Sequence, residues 1–323
     1  MKIKKVNNVK HLIISSLADY STDLISCGFE NHGFEYLRLN RDQFAEYDIL
    51  YNLASNSITV TLNGDEYIIS PKHIESIYFR APVFLRSTNK QYALDEQVSK
   101  SQWAAFMRNL IIFDTAKWVN HPVSTYRAEN KLLQLKIARD IGLYVPTTYV
   151  GNVVPDCIDF DKSYIVKSLD AALFFDGTNE MFTYSTKITG KELLASKIKT
   201  APVIIQEYLH DKTDIRVTVI GDEMLAVDIT NNNYPIDGDW RKMSKESLLY
   251  RQIELPSLVK AKIKKIMGEL DLRFGGMDMA LVSGEYYFIE VNPTGEWGWL
   301  VSTANLPIDQ VIVRYLLYGE GDG

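Results

Sequence analysis

The chain has 323 residues, of which 46% are hydrophobic and 11% aromatic, so it is long enough for about two domains and apolar enough to form a core. This composition excludes a disordered tail, a collagen-like fibre and a low-complexity scaffold. The 35 basic and 41 acidic residues give a net charge of -6, which argues against a generally basic nucleic-acid-binding protein but allows a local basic groove.

The first predicted domain is a small α/β unit over residues 1–117. Apolar strands alternate there with amphipathic helical segments, which is typical of this class. Asn63-Gly64 predicts a hairpin turn, and the apolar stripe of the last helix is interpreted as core packing. In chain order the predicted elements are a strand at 11–16, a helix at 19–30, strands at 34–39, 47–60, 66–69 and 74–79, and a helix at 92–115.

Two further units are predicted, a central one at 118–210 and a C-terminal one at 211–323. The segment 118–122 interrupts the pattern, and the helix after it ends at Gly142, a natural C-cap. A polar stretch at 168–190 separates two short strands, and the tail at 319–323 is expected to fray. The predicted elements are a helix from Ser124 to Gly142, strands at 145–150, 164–167, 203–206, 215–220, 223–230, 276–282 and 286–291, and a helix at 256–270.

The cysteines and the N-terminal residues predict the compartment. Cys27 and Cys157 are far apart and match neither a CxxC pair nor a disulfide framework, which suits a reducing environment. The apolar stretch Leu12–Ile14 is too short for the core of a signal peptide. No window approaches about 18 uninterrupted apolar residues, so no membrane span is expected. We therefore expect a cytoplasmic protein.

A metal site is predicted on the last two strands. Side chains alternate along a strand, so Glu290 and Asn292 lie on the same face, within reach of Asp278 on the partner strand. Acidic residues inside apolar strands are costly unless they are paired or bind a metal. Two carboxylates and an amide oxygen suit Mg²⁺, which takes few protein ligands and keeps water or phosphate oxygens in its other positions. The alternative is a sheet with scattered polar residues.

Four cations are candidates for binding an anion. Lys131 lies on a predicted helix and Arg241 in a loop, where each alone would be typical of a solvated charge. Lys167 and Arg216 interrupt apolar strands, so they require an anionic partner, which a phosphate beside Mg²⁺ would supply. The five histidines show no metal-binding spacing, and structural roles are expected for them.

The order of these motifs resembles that of the ATP-grasp ligases, over roughly residues 118–318. The nearest branch contains the ribosomal-protein glutamate ligases and the graspetide synthetases, which are peptide macrocyclases of the microviridin type. The motifs are Lys131, Lys167, Gln206-Glu207-Tyr208, Asp214-Ile-Arg216, Asp239-Trp-Arg241, Asp278 and Glu290-Val-Asn292. Four segments favour the macrocyclases: Tyr78–Pro82, Asn120–Pro122, Asn130–Leu135 and Asn292–Trp299. Ala81 stands where that family often has a second arginine.

The resemblance implies an ATP-grasp fold of α/β (α+β) class with an N-terminal pre-ATP-grasp domain, and it implies ATP and Mg²⁺ as cofactors. It places ATP phosphates at Lys131 and Lys167, and it makes residues 168–190 a lid over the triphosphate. Arg216 and Arg241 would steady the γ-phosphate and the acceptor carboxylate. The remaining implied roles are adenine binding by Gln206, Glu207, Tyr208 and Leu209, ribose contact by Asp214, and Mg²⁺ binding by Asp278, Glu290 and Asn292.

The implied reaction activates a carboxylate as an acylphosphate, which a hydroxyl or an amine then attacks. In a graspetide synthetase the Asp or Glu side chains of an acidic ribosomal precursor, made of leader and core, are joined to its own Thr, Ser or Lys side chains. The alternatives are a ligase that adds an amino acid to a peptide, protein or small acid, and a non-catalytic nucleotide-binding module. The resemblance also suggests a homodimer, without nucleic acid or membrane as partner.

Overall fold

The structure is a computed structural model that describes residues 6–80, 93–169 and 185–320, together with the backbone of 173–176 and 179–182. Ala81 and Pro82 of the macrocyclase-like segment lie outside the described residues, as do parts of the predicted lid at 168–190 and of the C-terminal tail. The predicted α/β class is confirmed. Over the described residues, no helix is long and apolar enough to cross a membrane.

The described chain contains strands and helices in close alternation. The strands are β1 (Val6–Asn8), β2 (His11–Ser15), β3 (Leu37–Asn40), β4 (Asp48–Asn52), β5 (Ser57–Leu62), β6 (Asp65–Ile69), β7 (Ser76–Phe79), β8 (Lys117–Val119), β9 (Thr148–Gly151), β10 (Ser163–Lys167), β11 (Leu173–Asp176), β12 (Asn179–Phe182), β13 (Thr186–Thr189), β14 (Val203–Glu207), β15 (Thr213–Ile220), β16 (Glu223–Asn231), β17 (Leu248–Ile253), β18 (Phe274–Val282) and β19 (Glu285–Asn292). The α-helices are α1 (Tyr20–Asn31), α2 (Leu94–Arg108), α3 (Pro122–Ala128), α4 (Lys131–Asp140), α5 (Gly190–Ala195), α6 (Ser257–Glu269), α7 (Gly298–Ala304) and α8 (Ile308–Tyr318).

The N-terminal part contains a parallel sheet that is buried on both faces. Its strand order is β3-β2-β7-β8, and a second sheet of order β1-β6-β5-β4 packs beside it. Along β2, Leu12 and Ile14 belong to the core shared with the second sheet, whereas Ile13 belongs to a core shared with α8. This apolar run without alternation is typical of a covered parallel strand. The predicted turn at Asn63-Gly64 joins β5 to β6, and both residues have positive φ.

The rest of the chain contains three more sheets, one of which is the two-stranded pair β11-β12, and the two larger sheets lie next to each other. The central sheet is antiparallel, with order β13-β10-β14-β9, and the C-terminal sheet has order β17-β16-β15-β18-β19. On β15 the apolar residues Ile215 and Val217 pack on the core beneath α4 and α6, which leaves Arg216 on the opposite face. Because successive side chains of a strand point to opposite faces, Arg216 points away from the core that Ile215 and Val217 enter.

The structure differs from the predicted elements in four respects. The expected strand 47–60 is the hairpin β4–β5, and the segment 118–122 begins with an edge strand, β8. The expected single helix from Ser124 is two helices, because Asn130 is extended and α4 begins afresh at Lys131. The structure adds eight elements that were not predicted: β1, β11, β12, β13, β17, α5, α7 and α8. Domain boundaries at residues 117 and 210 stay predictions.

Candidate active site

Three charged residues lie side by side on three adjacent strands of the C-terminal sheet. Arg216 on β15 is the register partner of Asp278 on β18, and Asp278 is the partner of Glu290 on β19. Directly paired residues share a face, so the three side chains form a row. Each is less than a tenth exposed. Arg216 Nη1 donates to Asp278 Oδ1 at 2.9 Å, which fixes one end of the row.

Three more cations reach this row from other elements. Lys131 Nζ, at the first residue of α4, lies 3.4 Å from Glu290 Oε2. Arg241 Nη2 lies 3.7 Å from Asp278 Oδ2 and 3.8 Å from Glu290 Oε1. Lys167 ends β10 of the central sheet, is half-buried, and interacts electrostatically with both carboxylates. Four cations therefore surround two carboxylates, and the excess positive charge favours an anionic ligand.

The charges of this cluster alter the pKa values of its members. Burial by itself would raise the pKa of Glu290, but the positive charges of Lys131, Lys167 and Arg241 outweigh burial and lower that pKa to about 2. Burial also lowers the pKa of Lys167, although the charge of Glu290 opposes this effect. An anion bound beside Lys167 would favour its protonated form.

Asp239 positions Arg241, a role that the sequence did not reveal. Its Oδ1 accepts hydrogen bonds from the backbone N and from Nε of Arg241, both at 3.1 Å. Asp239 has a 6% exposed side chain, whereas Arg241 is 45% exposed. The signal available in the sequence is an aspartate two residues before its partner, which is the spacing of an Asx-turn.

Six of the seven residues predicted to hold a nucleotide line one cleft between the central and C-terminal sheets, and Lys131 does not line it. Gln206 to Leu209, Lys167 and Asp214 line it together with Arg241 and Asp278. The side-chain amide of Gln206 turns away to donate to Thr148 Oγ1 at 2.9 Å. The N–H groups of Glu207 and Tyr208 already bond to backbone oxygens at 2.9 and 3.2 Å. Within the described chain Leu209 N–H makes no such bond. Of the backbone N–H groups of Glu207, Tyr208 and Leu209, it is therefore the one available to a ligand.

Asp214 is half-buried in this cleft beside Lys212. Lys212 Nζ lies 2.5 Å from Asp214 Oδ2. Burial raises the pKa of Asp214 to about 6, although the charge of Lys212 opposes the shift. Asp278 and Asp239 add to the rise. A carboxyl group in this state is suited to exchange hydrogen bonds with the hydroxyls of a sugar.

A second cavity of about 300 Å³ adjoins the row on its other side. Arg216, Arg241, Asp278 and Asn292 line it, with the loop 294–296 and two tryptophans, Trp240 and Trp299. The two indole rings are 5.6 Å apart between centroids. Since Arg241 and Asp278 border both spaces, the charged cluster lies between the cleft and the cavity.

The chemistry of the donor set fits Mg²⁺. Asp278 Oδ2 and Glu290 Oε1 converge on one point, now taken by Arg241 Nη2, and Asn292 Nδ2 lies 3.4 Å from Glu290 Oε1. To bind a metal, Asn292 would present its Oδ1 instead. No group of three or more His, Cys, Asp or Glu side chains placed for a metal occurs among the described residues. Two carboxylates and an amide are the few ligands that Mg²⁺ takes when phosphate and water supply the rest.

The comparisons with solved structures show the fold. The macrocyclase MdnC of Microcystis aeruginosa MRC, solved with its precursor peptide MdnA, gives a TM-score of 0.80 at 22% identity, over 95% of this chain and 99% of that one. A RiPP-associated ATP-grasp ligase of Chryseobacterium gregarium, solved with ADP and a leader and core peptide, gives 0.80 at 22% identity, over 96% of each chain. The D-alanine–D-alanine ligase of Bacillus anthracis, solved with ATP, gives 0.57 at 13% identity, over 96% of this chain and 98% of that one.

No family model and no curated protein sequence matches the chain. The structural likeness extends over nearly the whole chain, including the N-terminal part, and it confirms the predicted ATP-grasp fold. The roles of the individual site residues stay predictions.

Proposed function

We propose that the protein is an ATP-dependent carboxylate ligase that works through an acylphosphate, and that it crosslinks side chains of a ribosomal precursor peptide. The observation that carries this proposal is the cluster of four cations and two carboxylates between the cleft and the second cavity. A site that transfers a phosphoryl group between two substrates needs charge neutralisation at that junction.

The cleft is the proposed nucleotide site. Leu209 N–H would donate to the adenine edge, and Asp214 would contact the ribose. Lys131 and Lys167 would bind the phosphates. The negative charge of a phosphate would offset the desolvation that lowers the pKa of Lys167. Asp278, Glu290 and Asn292 would hold Mg²⁺, which supplies charge neutralisation and Lewis acidity at the phosphates. Binding of a metal would release Arg241 from the point where the two carboxylates converge.

The second cavity is the proposed site of the acceptor carboxylate. Arg216 and Arg241 border it and would orient the carboxylate oxygen towards the γ-phosphorus. That oxygen forms the new P–O bond as the bond to ADP breaks. A hydroxyl or amine then attacks the acyl carbon, phosphate leaves, and the nucleophile loses its proton as the ester or amide forms. The chain's own contribution is positioning and the exclusion of water.

The peptide partner is supported by the fold relatives, two of which were solved with a precursor or with leader and core peptides. An acidic peptide would be repelled by the net charge of -6, so local cations such as Arg216 and Arg241 would have to attract it. A leader bound away from the site would raise the effective concentration of the core. A homodimer stays a prediction, which sedimentation of the purified protein tests.

Mass spectrometry of a reaction with ATP, Mg²⁺ and a candidate precursor tests the proposal. The candidate is a short peptide rich in Asp, Glu, Thr and Lys, encoded next to this gene and compared with the same core lacking its leader. Loss of one water per ring, with release of ADP and phosphate, supports crosslinking. A gain of amino-acid mass supports the glutamate-ligase alternative. Turnover that persists in Glu290→Ala would contradict the assigned site.

A further inference from the structure

Arg80 of the N-terminal part reaches across to the C-terminal part with both terminal nitrogens of its guanidinium. Arg80 directly follows β7, and its side chain is 9% exposed. Nη1 donates to the backbone oxygens of Thr294 and Gly295 at 3.0 and 3.1 Å, and Nη2 donates to Glu296 Oε2 at 2.8 Å. These contacts hold the segment that follows Asn292 and includes the first two residues of α7, which we call the 293–299 loop.

Arg80 is itself fixed from the side of its own domain. Its Nε donates to Asp19 Oδ2 at 3.0 Å. Asp19 is the N-cap of α1, where Oδ1 accepts from Thr22 N at 3.1 Å and Oδ2 accepts from Ser15 Oγ at 2.8 Å. Because all three nitrogens of the guanidinium donate hydrogen bonds, the Arg80 side chain has little freedom to rotate. The position of the 293–299 loop is therefore set by the first helix of the chain.

Other N-terminal residues anchor the same loop. Asn120 Nδ2 donates to Pro293 O at 2.8 Å, and Tyr78 Oη lies 3.3 Å from Trp297 Nε1. Ser21 Oγ accepts from Gly298 N at 2.9 Å and donates to the carboxylate of Glu296. Trp297 is fully buried in the core between the two parts of the chain. The loop thus belongs structurally to both parts.

The loop in turn fixes Arg216. Arg216 Nη2 donates to Glu296 O at 3.2 Å, while Nη1 holds Asp278. The backbone of Gly295 lies so close that a methyl group there would be 2.8 Å from Arg216 Nη2. The same loop forms one wall of the second cavity. A shift of the loop would therefore move both the wall and the guanidinium.

We infer that Arg80 is a positioning residue for the acceptor side of the site, acting through the 293–299 loop on Arg216. The inference depends on the proposed function for what the acceptor is. The nucleotide cleft is lined by none of the loop residues. Loss of Arg80 should therefore impair the acceptor step and leave ATP binding intact.

The test uses Arg80→Lys in the full chain, because a single ammonium keeps the charge but cannot hold two carbonyls and two carboxylates at once. The expected result is a fall of about 10- to 100-fold in kcat/KM for the peptide, with the calorimetric Kd for ATP unchanged. Arg38→Lys is the matched control, since Arg38 contacts Asp23 and Ser16 O of its own domain and no residue of the loop. It should leave both quantities unchanged.

A double-mutant cycle locates the effect. If Arg80 acts through Arg216, Arg80→Lys should add nothing to the loss caused by Arg216→Lys. Additive losses would overturn the inference, as would equal losses of ATP affinity and peptide turnover. Glu296→Gln removes the charge that pairs with Arg80 but keeps the backbone oxygen that accepts from Arg216. It should therefore lower kcat/KM for the peptide by less than Arg80→Lys does.

Hydrogen exchange separates this inference from the proposed function. Amides 294–299 should exchange faster in Arg80→Lys than in the parent protein or in Arg38→Lys, whether or not a peptide substrate is found. If the parent protein crosslinks no peptide, the proposed function fails while faster loop exchange still supports the anchoring. Unchanged loop exchange in Arg80→Lys would contradict the inference even in an active enzyme.

Discussion

Gln134 and Val291 are joined by two hydrogen bonds that reproduce the pairing of a neighbouring strand. Gln134 Nε2 donates to Val291 O at 2.8 Å, and Val291 N donates to Gln134 Oε1 at 2.9 Å. Val291 lies between Glu290 and Asn292 on the edge strand β19, and Lys131 begins the same helix as Gln134. One buried amide thus fixes the helix that carries a candidate phosphate ligand against the strand that carries two candidate metal ligands.

Replacing Gln134 with leucine should destabilise the protein by about 2–4 kcal/mol, because the N–H and C=O of Val291 would stay buried without partners. Urea unfolding followed by circular dichroism measures the change. Leu132→Gln, on the exposed side of the same helix, is the control and should change stability by less than about 0.5 kcal/mol. Equal effects of the two substitutions would show that the paired amide contributes nothing.

Glu290→Gln should destabilise the nucleotide-free protein in a pH-dependent way. The folded pKa of Glu290 is lowered from 4.5 to about 2, so its stabilising contribution is complete above pH 4.5 and is lost as the pH falls towards 2. The difference from the parent protein should be of the order of 3 kcal/mol at neutral pH and should shrink below pH 4.5. Glu254→Gln, at an exposed ion pair, should change little at any pH. A pH-independent difference for Glu290→Gln would contradict the prediction.

Asp214→Asn should show the opposite sign. The folded pKa of Asp214 is raised from 3.8 to about 6, because its ionised form is poorly solvated in the cleft. The folded protein therefore loses stability relative to the unfolded chain as the pH rises from 3.8 through 6. The melting temperature of Asp214→Asn relative to the parent should therefore be higher at pH 7.5 than at pH 4. The exposed Asp222→Asn is the control. The same offset for Asp214→Asn at both pH values would mean that its carboxyl group is not destabilised by burial.

The sequence predicted the parts of the site that depend on local periodicity. Alternation along β19 was enough to place Glu290 and Asn292 on one face. The turn at Ser283-Gly284 by itself sets a register that would place Asp278 opposite Ile289, and a bulge makes Glu290 its partner instead. The bulge directly after Asp278 was not predictable, since no glycine or proline marks it. The extra residue is Ile289 on β19, which is apolar like its neighbour Phe288 and gives no local sign of the bulge.

The anchors of the site were not predictable, because they join distant parts of the chain. Arg80 and Glu296 are brought together only by the packing of α1 and α8 between two sheets. Helix α8 was itself missed, since its run of Ile and Val residues has the composition of a strand and it is buried on most of its surface. Local patterns reveal which face of an element is apolar, but not which distant element covers it.

Gly276→Ala should disable the site through a single methyl group. Gly276 lies on β18 two residues before Asp278, and a Cβ there would be 2.2 Å from Arg216 Nη2 and 2.7 Å from its Cζ. The guanidinium is held between Asp278 Oδ1 and Glu296 O, and the Arg216 side chain is 7% exposed, so it can move only towards the second cavity and only by giving up both hydrogen bonds. We expect the methyl group to break the Arg216–Asp278 pair and to leave the buried Asp278 carboxylate with only the more distant Arg241 as its ion-pair partner, at a cost of about 3–5 kcal/mol.

The measurement is urea unfolding together with peptide turnover of the folded variant. Gly268→Ala is the matched control: it lies inside helix α6 with no atom within 4 Å of the added carbon, and it should stabilise the protein by up to about 1 kcal/mol. A second substitution, Gly276→Ala with Arg216→Ala, removes the clash and should recover part of the stability but none of the turnover. Gly276→Ala with parental stability and turnover would show that the Arg216 guanidinium can leave its place without consequence, and it would remove Arg216 from the proposed acceptor site.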